Sequence, residues 1–435
     1  MTGPTADGLR ARGGTGTRDR EAYFAAAMQL LAEAGPAAVT IAGLCERLQV
    51  THGSFYHHFE NMPGFVVAFA QHWQALVLGL YAGWEAEPDP VRRYELIGSG
   101  LELMDSEHLA IGAWARTEPV IAATVETCQQ AWTPIGIRVV TEIVGDPQSA
   151  EVLQMMIECT CVGIALRPGR PGQELFRRVQ QELWQRCAGI QLDVAEVENR
   201  QELKFRGKAS HHLHHGTREP DLGPFTWAEN DLGPDAGTPP PDRPGRGREA
   251  YFHAAWQILG ERGHDGLTVD ALCRRLSVTK GSFQWHFERM ALFIQALADH
   301  WENEHDRRLA AHRDEPDPLL RLQQLHQQLL RPPDPAAATW RAWAYTESTV
   351  GRALHRIDGH RQDLLAATIT EATQDPEAPL LAEAMLGLAI AFRESEVPDV
   401  SPELTVRMVL EWARRMLRLA ARIEVHDGRP AILLA

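Results

Sequence analysis

The chain is poor in the features that tie a protein to several large function classes. Its 435 residues include six cysteines, none in a paired spacing, which argues against a disulfide framework. Cys159 and Cys161 stand two apart in a helical stretch, so they point to different faces and read as core residues rather than as a shared metal site. No run of the ~18 apolar residues that a membrane span needs occurs. The opening "MTGPTADGLRARGGTGTRDR" also lacks the apolar centre of a signal peptide. A soluble, cytoplasmic protein without a membrane partner is expected, with a disordered tail over 1–17. Nucleophile motifs, Gly-rich phosphate loops and zinc spacings are missing, so neither catalysis nor a cofactor or metal is expected. Strand alternation is missing too, and the predicted class is all-α. The formal net charge is −15, a balance that opposes nucleic acid binding unless cations are concentrated where they are needed.

What the chain does contain is a repetition. "REAYFAAAMQLLAEAG" from Arg20 lies over "REAYFHAAWQILGERG" from Arg248, and the match runs without a gap to Trp73 and Trp301, with more than half the positions identical. "EPDP" at Glu87 and Glu315 keeps the same offset. "AWARTE" at Ala113 and "AWAYTE" at Ala342, then Asp146-Pro147 and Asp375-Pro376, continue it after one inserted residue. A repeat this long is a duplicated folding unit. Between the copies, 193–247 holds "HHLHH", two "DLGP" and "GTPPPDRPGRG", a linker composition whose relaxed reach is roughly 5 to 6 Å times the square root of its length. His residues three and four apart on a helix can share a metal, but in this Pro/Gly-rich setting His211–His215 reads as linker.

Within each copy the apolar period is helical. Tyr23, Phe24, Ala27, Met28, Leu30 and Leu31 recur at three-to-four spacing and stop at Gly35. Thr40 opens a short helix to Leu48 and Thr51 another to Phe59, two short helices separated by a tight turn. Longer helices are predicted at about 64–85, 90–105, 118–144, 149–166 and 172–190. This gives a first helix-turn-helix domain at 18–62, a first helical regulatory domain at 63–192, and their counterparts at 248–290 and 291–426.

"TIAGLCERLQVTHGSFYHHF" (40–59) and "TVDALCRRLSVTKGSFQWHF" (268–287) resemble the helix-turn-helix signature of the TetR/AcrR family of bacterial regulators. The resemblance implies two tandem units, each a three-helix DNA-binding domain plus a helical ligand-binding and dimerisation domain. They would pair as an intramolecular pseudo-dimer on double-stranded operator DNA and release it when a small-molecule effector binds. By match to the family pattern, His52, Gly53 and His57 face base edges, with Lys280, Gly281 and Trp285 as counterparts. Thr40, Ser54, Tyr56 and His58, and Thr268, Ser282 and His286, touch phosphates. Thr51, Thr279 and Gln284 complete the outer faces.

The residues fit this independently. Cys45 and Cys273 stand where the first short helix approaches the second and a small side chain is needed, and Phe55/Phe59 and Phe283/Phe287 can pin the second helix to the core. Departures from the family pattern matter as well. Met62 and Met290, with Glu60 and Glu288 nearby, replace a frequent cation after the recognition helix, and the turn position usually held by Gly is Gln49 or Ser277. His52 becomes Lys280 and Tyr56 becomes Gln284, so the two readers should prefer different bases. The segment 240–290 has a slight excess of basic residues and 1–62 a slight excess of acidic ones.

Two fused subunits in one chain can present both readers at half-sites about one helical turn, ~34–36 Å, apart, with a high effective concentration replacing bimolecular assembly. The apolar segments 151–166, 173–190, 380–392 and 403–423 are expected to form the four-helix interface, Gly163 and Gly387 allowing close approach. Trp84, Met104, Trp114, Arg116, Trp132, Trp340, Trp343 and Tyr345 are candidate effector contacts, although aromatics at helical spacing also serve as core. Two alternatives stay open: a homodimer of fused chains with four readers, and a helical ligand-binding or protein-interaction module with degenerate DNA-binding domains.

Overall fold

The computed structural model describes residues 20–90, 92–93, 96, 111–112, 114–115, 118–167, 173–189, 247–331, 333–394, 400–426 and 429–435. The expected tail, most of the linker with its His-rich stretch, and the candidate contacts Met104 and Arg116 lie outside them. In the first copy α1 (Arg20–Ala34), α2 (Ile41–Leu48) and α3 (His52–His58) precede α4 (Met62–Glu85), α5 (Pro119–Val144), α6 (Pro147–Ala165) and α7 (Gln173–Ala188). The helices expected at 64–85, 118–144, 149–166 and 172–190 fall within two residues of those bounds, and the one expected at 90–105 lies mostly outside the described residues. Capping explains where they begin. Asp146 Oδ2 accepts from Ser149 N at 2.9 Å with Pro147 in the first turn, an Asp cap plus a proline whose missing N–H would have been unpaired anyway. By composition α4 is apolar enough to cross a bilayer, but Phe65, Phe69, Trp73 and Val77 on it are buried in the protein core.

The second copy repeats the pattern as α8 (Arg248–Arg262), α9 (Val269–Leu276), α10 (Lys280–Phe287), α11 (Met290–Arg313), α12 (Pro318–Gln327), α13 (Pro335–Trp343), α14 (Ser348–Thr373), α15 (Ala378–Glu394) and α16 (Pro402–Glu411). Even its polar details recur. Arg93 pairs with Glu142 at 2.8 Å and donates to Glu87 O at 2.9 Å, while Arg321 pairs with Glu371 at 2.9 Å and donates to Glu315 O at 3.1 Å.

The fold is all-α except at the end of the chain. A helix through Ile423 was expected; instead α16 ends in a π turn at Trp412–Met416, and Ala421–His426 (β1) pairs antiparallel with Arg429–Leu434 (β2). The Asp427-Gly428 pair in the sequence is a hairpin signal, and Ile423, Ile432 and Leu434 turn one face of the hairpin inward. Its open edge is closed by glutamines of α12: Ile432 N donates to Gln327 Oε1 at 2.9 Å and Leu434 N to Gln323 Oε1 at 3.1 Å.

Two compact units result. One gathers the described residues within Met1–Ala86 and Ile97–Trp132, and the other those within Glu87–Leu96 and Thr133–Ala435. The second unit therefore contains α6 and α7 of the first copy together with α15 and α16 of the second. At the α6–α15 crossing the helices touch backbone to backbone. A Cβ on Gly163 would lie 1.7 Å from Gly387 O, and one on Gly387 would lie 2.8 Å from both Thr160 O and Ile164 Cγ1. Around this contact the copies exchange equivalent bonds. Arg186 donates to Met416 O at 2.8 Å, and its counterpart Arg415 donates to Cys187 O at 2.7 Å. Arg178 pairs with Glu377 at 2.8 Å, and its counterpart Arg407 donates to Gln148 O at 3.3 Å. Reciprocal pairs of this kind are the mark of a two-fold interface.

The second copy also buries a charge network. Arg341 forks onto Asp358 at 2.8 and 3.0 Å and donates to Glu394 at 3.0 Å. Arg361 donates to Glu394 at 2.7 Å and to His305 Nε2 at 2.9 Å, while His305 Nδ1 meets Trp301 O at 3.0 Å. A carbonyl can only accept, so Nδ1 carries the proton and His305 is neutral. Burial alone would raise Glu394, but Arg361 and Arg341 hold it well below the usual carboxylate range. Two guanidinium groups thus face two carboxylates, and the charges of Arg341, Arg361, Asp358 and Glu394 balance.

Burial, with Arg361 alongside, pushes His305 down to about 3, and burial pushes His326 down to about 4. Both values are below that of an unfolded histidine, so their stabilising contribution is complete above about pH 6.5. It is lost on acidification, at about 1.4 kcal/mol per pH unit for each histidine, until the folded values are reached. Urea midpoints measured at pH 7, 6 and 5 are expected to fall, and to fall less steeply for His326→Leu. Midpoints independent of pH over that range would contradict the assignment.

Candidate nucleic-acid interface

Both short-helix pairs are built alike. Thr40 Oγ1 accepts from Gly43 N at 3.0 Å and Thr268 Oγ1 from Ala271 N at 3.2 Å, capping α2 and α9. The turns pass through Gln49 (φ 55°) and Ser277 (φ 53°), both left-handed, the geometry that glycine would adopt without strain. The thiols of Cys45 and Cys273 reach Thr51 O and Thr279 O, each at 3.6 Å, bringing the two short helices close. Tyr23 donates to Ser54 Oγ at 2.9 Å and Tyr251 to Ser282 Oγ at 3.0 Å, so α1 and α8 hold the helices that follow. Phe55 and Phe59, like Phe283 and Phe287, are buried. The guanidinium groups of Arg20 and Arg248 each sit 4.9 Å over Phe59 and Phe287.

With one face pinned, the opposite one is open. His52, Gly53, Tyr56 and His57, with Thr51 and Thr40, are exposed on the first pair, as are Lys280, Gly281, Gln284 and Trp285, with Thr279 and Thr268, on the second. Trp285 is 82 % exposed, an unusual state for an indole with no partner surface. Such a face, a helix N-terminus with short polar groups and a few longer donors, is suited to a major groove.

A family model described as bacterial regulatory proteins of the tetR family matches residues 24–69 and again 252–297. The chain is a TetR-family regulator with two tandem copies of the DNA-binding domain. No curated protein matches it. Membership makes it a DNA-binding transcriptional regulator, with double-stranded DNA as its partner.

Within the TetR-type readers some residues are less open than their neighbours. Ser54 and Ser282 are half-buried and tied to the tyrosines. His58 is half-buried against Tyr23 at 5.6 Å, with Nε2 buried, and His286 lies 5.5 Å from Tyr251. Thr40 and Thr268 accept backbone bonds through their oxygens, which leaves their O–H protons to donate outward.

One charged neighbour escaped the sequence reading. Asp270, at the start of α9, lies 2.7 Å from Lys280 Nζ and holds the ammonium above its ordinary pKa by hydrogen bond and charge. The first copy has Ala42 there and His52 opposite. The signal was present in the sequence, since the first turns of paired short helices face each other, but nine intervening residues concealed it.

The aromatic candidates are mostly core. Trp340 and Trp343 are buried among α8 and the second DNA-binding domain. Trp114 packs on Phe69 at 5.4 Å, and Trp84, Trp132 and Tyr81 pack on one another within 6 Å. Tyr345 is exposed. A cleft of about 440 Å³ opens elsewhere, between α4 and α5, lined by Val67, Gln71, Gln74, Val120, Thr124 and Thr127 among others, with no charged side chain. At the matching seam of the second copy, α11 and α14 are laced by Glu302–Arg356 at 2.6 Å and Asp306–His360 at 2.7 Å.

The left-handed turn residues yield a test. Gln49→Gly and Ser277→Gly are each expected to stabilise the chain, by up to about 1 kcal/mol, by relieving the Cβ penalty. The readout is the urea midpoint. A loss of stability from both changes would mean that the turns are not left-handed.

Proposed function

We propose that this regulator is a ligand-responsive repressor acting in the cytoplasm, in which one chain folds as a pseudo-dimer and reads an asymmetric operator. The observation that carries the reading is that two readers with the same internal scaffold present different outward side chains: His52, Tyr56 and His57 in one, Lys280, Gln284 and Trp285 in the other. An imidazole can donate to guanine N7 or O6 or accept from the cytosine amino group, a lysine favours guanine O6 and N7, and an indole ring suits the thymine methyl. The two half-sites would then differ. The reciprocal bonds of Arg186 and Arg415 support pairing within the chain.

The same reading assigns the effector to the first copy. Its counterparts of Arg341, Asp358, Glu394, Arg361 and His305 are Gly112, Gln129, Ala165, Trp132 and Val77, which cannot fill the interior with ion pairs. Its α4–α5 cleft offers amide and hydroxyl groups without charge, which suits a neutral, amphipathic small molecule. The rival, a helical module whose readers have decayed, draws on the Lys280–Asp270 pair and on the absence of Lys or Arg from α3.

Footprinting of the purified chain on DNA flanking its own gene separates the two. Salt-sensitive protection of two adjacent half-sites is expected. His52→Ala should weaken one end and Lys280→Ala the other, each about 5- to 100-fold. Absence of protection at low salt would favour the rival. Equal loss at both ends from either change would replace the single-chain reading with two chains bound symmetrically.

A further inference from the structure

We propose that the α6–α7 face of the first copy and the α15–α16 face of the second are coded for each other, so that neither accepts a second copy of itself. The inference concerns how the copies choose partners, and it stands whether or not the chain binds an effector.

The code is steric at the helix crossing. Gly163 and Gly387 touch, yet they are not equivalent positions in the repeat: the second copy has Phe392 where the first has Gly163, and the first has Glu158 where the second has Gly387. Two first copies would bring Gly163 against Glu158. A Cβ at that place lies 2.8 Å from the Thr160 carbonyl oxygen, a backbone atom that cannot step aside as a side chain would. Two second copies would bring Phe392 against Gly387, where even a Cβ would stand 1.7 Å from the carbonyl oxygen. Only the unlike pair brings glycine against glycine, its reciprocal position setting Glu158 against Phe392.

Charge repeats the message. Arg167 of the first copy pairs with Glu383 of the second across the seam, with both side chains largely buried. The reciprocal positions in the repeat are Gln154 and Glu396. Two first copies would set Arg167 against Gln154, leaving a mostly buried cation without a carboxylate. Two second copies would have Glu396 at the repeat position of Arg167, which supplies no cation for the Glu383 carboxylate. Specificity built from such mismatches is a difference between affinities, and it disfavours the wrong pair more than it strengthens the right one.

The test uses the folded full chain with a protease site inserted within 205–225, cleaved after purification. Unlabelled and isotope-labelled batches are mixed and the pairs weighed by native mass spectrometry. Unlike pairs are expected throughout, with like pairs under about a tenth of the total; indifferent faces would give roughly half. The double change Gln154→Glu with Glu158→Gly supplies the first copy with both halves of the code and is expected to produce first–first pairs. Like pairs at the indifferent level in the wild type, or no first–first pairs in the double variant, would overturn the proposal.

Discussion

Where α6 meets α15 there is no side chain between two helix backbones, and the pairing of the copies depends on that gap. Close approach brings many weak dispersion contacts within range at once, and it brings Arg186 and Arg415 near enough to cap the ends of each other's helices at Met416 O and Cys187 O. Widening the crossing by the thickness of a methyl group would weaken all of these together. The wider architecture follows from it, because α7 and α16 flank the crossing, and the hairpin of β1 and β2 rests on α12 of the same unit.

Duplication followed by divergence explains the remaining asymmetries. The scaffold of each reader is kept to within a few tenths of an ångström in its hydrogen bonds, from the tyrosine–serine link to the cysteine–carbonyl contact. The outward residues and the regulatory interior have changed. One copy has gained a balanced set of buried ions around Arg341, while the other keeps small or neutral residues at the same positions. Under the proposed reading, one copy has become a rigid support and the other retains the responsive cleft.

Much of this could be read from the sequence because its causes are local. The three-to-four spacing in α1 and the stop at Gly35 (φ 76°) depend only on helix geometry, whereas Gln49 was marked as a turn position by the family resemblance. The Gly163–Gly387 approach was legible because both glycines interrupt apolar helices. What escaped depends on distant partners or on short elements. The terminal hairpin has two six-residue strands beside a strongly helical neighbour, and its Asp-Gly turn was passed over. The Arg341 network joins residues separated by up to 56 positions, and the α4–α5 cleft arises where two helices fail to fill the space between them. Tryptophan, prized as a pocket marker, went chiefly into the core because its area is worth most there.

The claim at the centre is that one polypeptide closes a two-fold upon itself and so supplies both readers to one stretch of DNA. Native mass spectrometry of the chain on its footprinted duplex counts chains per operator directly. One chain per duplex is predicted at every ratio up to saturation. Two chains per duplex, with no intermediate of one, would contradict it.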